Sequence, residues 1–68
     1  MTMTATEPAY TTPEGGAVYL TDLPALRGIR FYEVDMFDEN GELIATFPSM
    51  GEGHLALIAA ALNWKLVP

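Results

Sequence analysis

The chain has 68 residues, no cysteine and a formal net charge of −6, nine carboxylates standing against Arg27, Arg30 and Lys65. That length makes one small domain, which buries only about 60% of the surface its unfolded chain exposes. It excludes a disulfide framework or thiolate metal site, and three scattered cations cannot supply the phosphate neutralisation on which nucleic-acid or anionic-membrane binding rests.

Residues 1–16 contain five threonines, two prolines, two glutamates and a closing Gly-Gly. No hydrophobic period is visible, and Pro8 and Pro13 interrupt any helix or ladder. A disordered tail is expected here, with Tyr10 its one large apolar anchor. No basic stretch precedes an apolar core, so no secretory signal is read and a cytoplasmic location is expected.

Residues 17–68 are expected to form a single α+β domain. Its predicted core is an antiparallel three-stranded sheet in β-β-β-α order, with one C-terminal helix packed on one face. Ala17-Val18-Tyr19-Leu20 is short and β-prone, an edge strand. Asp22, Pro24 and Gly28 suit the cap, start and end of one helical turn linking it to the next strand. Ile29 to Phe37 and Leu43 to Phe47 then read as a hairpin closed by Asn40-Gly41, a pair that tolerates φ > 0 at both turn positions.

Register decides which side chains share a face. A two-residue turn pairs Phe37 with Ile44, Met36 with Ala45 and Val34 with Phe47. Val34, Met36, Leu43, Ala45 and Phe47 then line one face with Tyr32 at its end. Glu33, Asp35, Phe37, Ile44 and Thr46 line the other. A three-residue turn ending in a Gly41 bulge shifts every pair by one and mixes charge into both faces, so the first register is preferred. Pro48 ends the strand, having no N–H for a ladder.

Ser49 and Glu52 match the capping-box spacing, Ser at the cap and Glu three residues on. From His54 the residues are good helix formers. Leu55, Ile58, Ala59 and Leu62 make one stripe for the sheet, while Leu57, Ala60, Ala61 and Trp64 make a second, nearly opposite. The apolar run Leu55–Leu62 is far shorter than the roughly 20 residues that span a bilayer. One hairpin cannot bury both stripes, and small domains without staples commonly oligomerise. A homodimer is therefore expected.

No constellation carries catalysis. Glu33 and Asp35, about 7 Å apart along a strand, need a cleft to do acid–base work. Met36-Phe37-Asp38-Glu39-Asn40-Gly41 has the outline of a calcium loop, but Met36 and Phe47 stand where the first ligand and the terminal glutamate belong. His54, the sole histidine, has no cysteine to activate, and Ser49 is better used as a cap. Gly51-Glu52-Gly53 lacks the lysine of a phosphate loop. The expectation is no enzyme, no metal and no cofactor.

Phe47-Pro48 ahead of the helix, after three strands, is loosely similar to HicB-type antitoxins. Of their Phe-Pro-Asp-Leu-Pro-Gly-like segment this chain keeps only that dipeptide.

Two functional classes remain. The first is a small acidic protein-interaction module, of the kind common among phage and bacterial accessory proteins, that binds and modulates a protein partner, with Phe37, Ile44, Leu57, Ala60, Ala61 and Trp64 as interface candidates. The second is a nucleic-acid mimic that blocks a DNA- or RNA-binding protein through the acidic face Glu33, Asp35, Asp38, Glu39 and Glu42.

Overall fold

Three long strands and one helix carry the architecture. The computed structural model describes residues 3–4 and 7–68. The strands are β1 (Met3–Thr4), β2 (Tyr10–Thr11), β3 (Ala17–Leu26), β4 (Ile29–Phe37) and β5 (Leu43–Met50). Helix α1 (Gly51–Ala61) and a last short strand β6 (Lys65–Leu66) follow. They form one antiparallel sheet in the order β5-β4-β3-β2-β6, with β1 also against β3. The α+β class with one helix on an antiparallel sheet is as expected. The sheet has six strands rather than three, and the helix is not the last element.

Two of the three extra strands, β1 and β2, come from the segment read as a disordered tail, and the third, β6, follows the helix. Tyr10 and Thr11 pair with Val18 and Ala17 on one side and with Leu66 and Lys65 on the other. A turn then brings the chain into β3, with the Gly15 amide donating to the Thr12 carbonyl and the Gly16 amide to Thr12 Oγ1 at 2.9 Å. Gly16 is buried, and a Cβ there would collide with the Phe37 carbonyl oxygen. Of the tail, residues 1–2 and 5–6 lie outside the described residues.

The helical turn expected at Asp22–Gly28 is absent. β3 runs on to Leu26, with a bulge where Pro24 and Ala25 face β4, since the register slips by one between the Leu23–Phe31 and Leu26–Ile29 pairs. A proline has no ladder donor, so a bulge is where a strand can hold it. The chain reverses through Arg27 (φ 53°) and Gly28 (φ 79°), two positive-φ residues, as the tightest hairpin turns require.

The Asn40-Gly41 hairpin exists but closes differently. Only Gly41 (φ 81°) is left-handed. The Gly41 amide donates to the Asp38 carbonyl and the Asp38 amide to the Glu42 carbonyl, a three-residue loop ending in a glycine bulge. Asp38 Oδ1 accepts from the amides of Asn40 and Glu42 at 2.9 Å each. That loop pairs Phe37 with Leu43, one position off the expected register. Ile44 is then looped out as a second bulge, and Met36–Ala45, Val34–Phe47 and Tyr32–Ser49 pair as the preferred register requires. Two one-residue shifts cancel.

β5 continues through Pro48 to Met50 instead of stopping. As the sheet's outermost strand on that side, it tolerates a residue that donates nothing to a neighbour. The capping box does not form: Met50 is the N-cap and makes no side-chain cap bond. His54 Nδ1 instead reaches back to accept from the Met50 amide at 3.1 Å.

At its far end α1 stops at Ala61. The Trp64 amide donates to the Ala59 carbonyl and the Asn63 amide to the Ala60 carbonyl, with Asn63 at φ 58°. This is the Schellman closure, with asparagine taking the left-handed position. It turns Trp64 off the helix and into the core against Tyr10, ring centroids 5.7 Å apart. The core is Val18, Tyr32, Val34, Leu55, Ala59 and Trp64, flanked by Leu20, Met36, Phe47 and Ile58.

Candidate interaction surface

Ser49 and His54, the residues nearest to a nucleophile–base pair, hold the β5–α1 junction. Ser49 Oγ lies 3.5 Å from His54 Nδ1, superficially a nucleophile and its base. Ser49 has no exposed surface, however, and its hydroxyl is also placed to donate to the Gly51 carbonyl. The same His54 nitrogen holds the Met50 amide. No substrate carbonyl can reach that hydroxyl. The pair anchors the β5–α1 junction.

At the same end of the molecule Tyr32, its ring buried, donates from its part-buried hydroxyl to Glu52 Oε1 at 3.3 Å. The Arg30 guanidinium lies 5.5 Å over the Tyr32 ring and pairs with Asp22 at 3.3 Å. Burial raises the Tyr32 pKa; Arg30 opposes the rise, while Glu52 and Asp22 add to it. Tyr32 therefore stays a neutral donor, joining the sheet to the first turn of α1. Among the described residues no three His, Asp or Glu side chains group to hold a metal ion, and no helix is long and apolar enough to cross a membrane.

What remains open is apolar. The sheet has two faces and α1 covers one. Paired residues share a face, so the register places Phe31 with Leu23 and Met50 at one end of the uncovered face. Glu33, flanked by Thr21 and Pro48, comes next. Asp35 follows between Tyr19 and Thr46, and Phe37 closes the other end with Ala17 and Leu43. Phe37 packs edge-on against Tyr19, centroids 5.4 Å apart, and Thr46 donates to Asp35 at 3.0 Å. Leu43 and Met50 are 56% and 62% exposed. A concavity of about 530 Å³ opens beside Tyr19, Asp35 and Phe37.

The expected acidic face is thus partly assembled. Glu33 and Asp35 lie on it, whereas Asp38 caps the turn and Glu39 and Glu42 sit at the tip. Of the interface candidates, Phe37 is on this face. Ile44, expected beside it, is taken away by its bulge and lines a smaller groove with Met36, Leu62 and Trp64. Leu43, expected in the core, takes Ile44's place. Phe31, Tyr19 and Met50 also belong here; their alternation with Glu33 and Asp35 was the readable signal.

The second helical stripe divides. Leu57 is 72% exposed and Ala60 and Ala61 are exposed beside it. Trp64, expected in that stripe, is only 8% exposed because the helix ends before it. The first stripe packs as expected through Leu55, Ile58 and Ala59, while Leu62 stays 46% exposed.

No protein-family model, curated protein or solved structure matches the chain. The likeness through Phe47-Pro48 is accordingly carried no further.

Proposed function

We propose that this chain is a small acidic protein-interaction module that docks on a protein partner and modulates it, working as a homodimer and without catalysis, metal or cofactor. The supporting observation is that one helix serves a two-faced sheet, leaving Phe31, Phe37, Leu43 and Met50 uncovered. Apolar clusters at both ends of one uncovered face mark an interaction site more often than scattered single residues do. The sheet face takes the partner, and the outward side of α1 takes the second copy. There Ala60 and Ala61 allow close helix approach, and Leu57 supplies apolar area at about 25 cal/mol per Å². A two-fold contact needs only one self-complementary patch.

Sedimentation at low micromolar concentration tests the pairing. A two-chain species that Leu57→Glu converts to one chain, with some loss of thermal stability, supports it, because assembly and folding are linked by mass action. A well-folded single chain for the wild type sinks it. For the partner face, Phe31→Glu should abolish retention of a host protein that the wild type retains, with the fold intact; unchanged retention refutes that face.

The mimic reading draws on Glu33 and Asp35, which share a face, with Glu39 and Glu42 beyond them. Competition with DNA for the retained partner at two salt concentrations separates the two. Mimicry requires direct competition with DNA that weakens with salt, whereas docking through the apolar ends proceeds without that competition.

A further inference from the structure

We propose that the uncovered sheet face receives a helix of another protein whose lysine or arginine side chains lie between two apolar anchors about 14 residues apart. This rests on the interaction-module reading above. The face is ordered along β4: Phe31 with Met50, then Glu33, then Asp35, then Phe37 with Leu43. Two carboxylates therefore sit between two apolar ends.

Among the described residues the one ion pair is Arg30–Asp22, and Asp22 pairs with Tyr32 on the helix-covered side. Arg27 is at the β3–β4 turn and Lys65 on the far edge strand. No cation among the described residues therefore pairs with Glu33 or Asp35.

The other occupants fit less well. A second copy laid on this face by a two-fold axis would set carboxylates against carboxylates, which is repulsive. Phosphate-bearing polymers and anionic lipids meet the same sign of charge, although Phe31, Phe37 and Tyr19 would offer stacking surfaces. A strand added to the β5 edge would find no donor at Pro48 and the Met50 amide already held by His54. A helix on the open face repeats what α1 does on the other side.

The spacing follows from backbone geometry. Six residue steps separate Phe31 from Phe37, about 20 Å at roughly 3.3 Å per strand residue. A helix covers about 21 Å in about 14 residues at 1.5 Å each, close to four whole turns, so anchors at that spacing fall on one side. Its cations must lie on the same side, in the turns between the anchors, to meet Glu33 and Asp35.

The probe is a synthetic 18-residue helical peptide with leucines 14 positions apart and three lysines between them on the same face. Its counterpart carries glutamates in place of the lysines. Titration calorimetry at low salt with the full chain, and amide chemical-shift mapping, read the result. The lysine peptide should shift residues 31–37 and 43–50 and should bind at least tenfold more weakly to the Glu33→Gln, Asp35→Asn double variant. Glu14→Gln, which removes an exposed carboxylate on the helix-covered side, should bind it unchanged. Equal binding of both peptides on this face would overturn the basic partner and leave the module reading standing. Shifts confined to α1, or binding by neither peptide, would overturn the docking inference. The module reading itself falls only if Phe31→Glu also leaves host-protein retention unchanged.

Discussion

The two faces of the sheet are built from the same three strands yet obey different rules. On the covered face, Val18 and Val34 have no exposed surface, and the polar side chains pushed in with them have partners, Tyr32 in Glu52 and Ser49 in His54 and the Gly51 carbonyl. On the open face Phe31 and Phe37 stop at partial burial, and Glu33 and Asp35 stand between them. Period-two alternation separates the faces but assigns water to neither. The helix does that. Stability is concentrated where α1, Tyr10 and Trp64 close over β3 and β4, and the opposite side is free to specify something other than the fold.

That contrast can be broken most forcefully at Trp64. Trp64→Ala removes the largest aromatic of the covered side and should cost about 3–5 kcal/mol. That is enough to unfold a domain of this size at room temperature, as circular dichroism or denaturant titration will show. Gly16→Ala should cost about 1–3 kcal/mol by overpacking against the Phe37 backbone. The loss appears as a lower denaturant midpoint, and none is expected if residues 7–16 are a tail.

Tyr32→Phe should cost about 1 kcal/mol at neutral pH, for a lost hydrogen bond to a charged acceptor. It also changes the alkaline limb. Because the folded-state pKa is raised, the Tyr32 contribution is fully present below pH about 10 and is lost as pH climbs through the folded value. The wild-type Tm should therefore fall more steeply above that pH than the Tm of Tyr32→Phe. Parallel curves would show that the hydroxyl is not held as described. On the open side, Phe31→Ser should move stability by no more than about 0.5 kcal/mol. A larger loss would mean that this face belongs to the core.

Much of this was legible. The α+β class, the β4–β5 register from Met36 inward, the glycine at a left-handed turn position and the Leu55–Ala59 contact all follow from local pattern. What escaped was decided by competition or by distance in sequence. Asn40-Gly41 can close two kinds of hairpin, and the two Asp38 hydrogen bonds select the longer one. The bulge at Ile44, which restores the register, has no signal of its own and exchanges Leu43 with Ile44. Trp64 fits the helical period, but Asn63 ends the helix first; asparagine at that place was the readable clue. Tyr10 was visible as an anchor, yet what it anchors to lies at the other end of the chain. The open face is half legible: period two groups Glu33, Asp35 and Phe37, whereas Met50 lies beyond the Pro48 expected to end its strand.

The seam between β2 and β6 has a kinetic meaning. Tyr10 pairs with Leu66, and the Val67 amide donates to the Ala9 carbonyl, so contacts near opposite ends of the sequence close the sheet. Joining distant segments costs loop entropy before any contact rewards it, whereas β3, β4 and β5 meet through short turns. The meander is therefore expected to zip first and the seam to latch last. Under thermal load the order reverses, and the latch that opens first is the one holding Trp64 down.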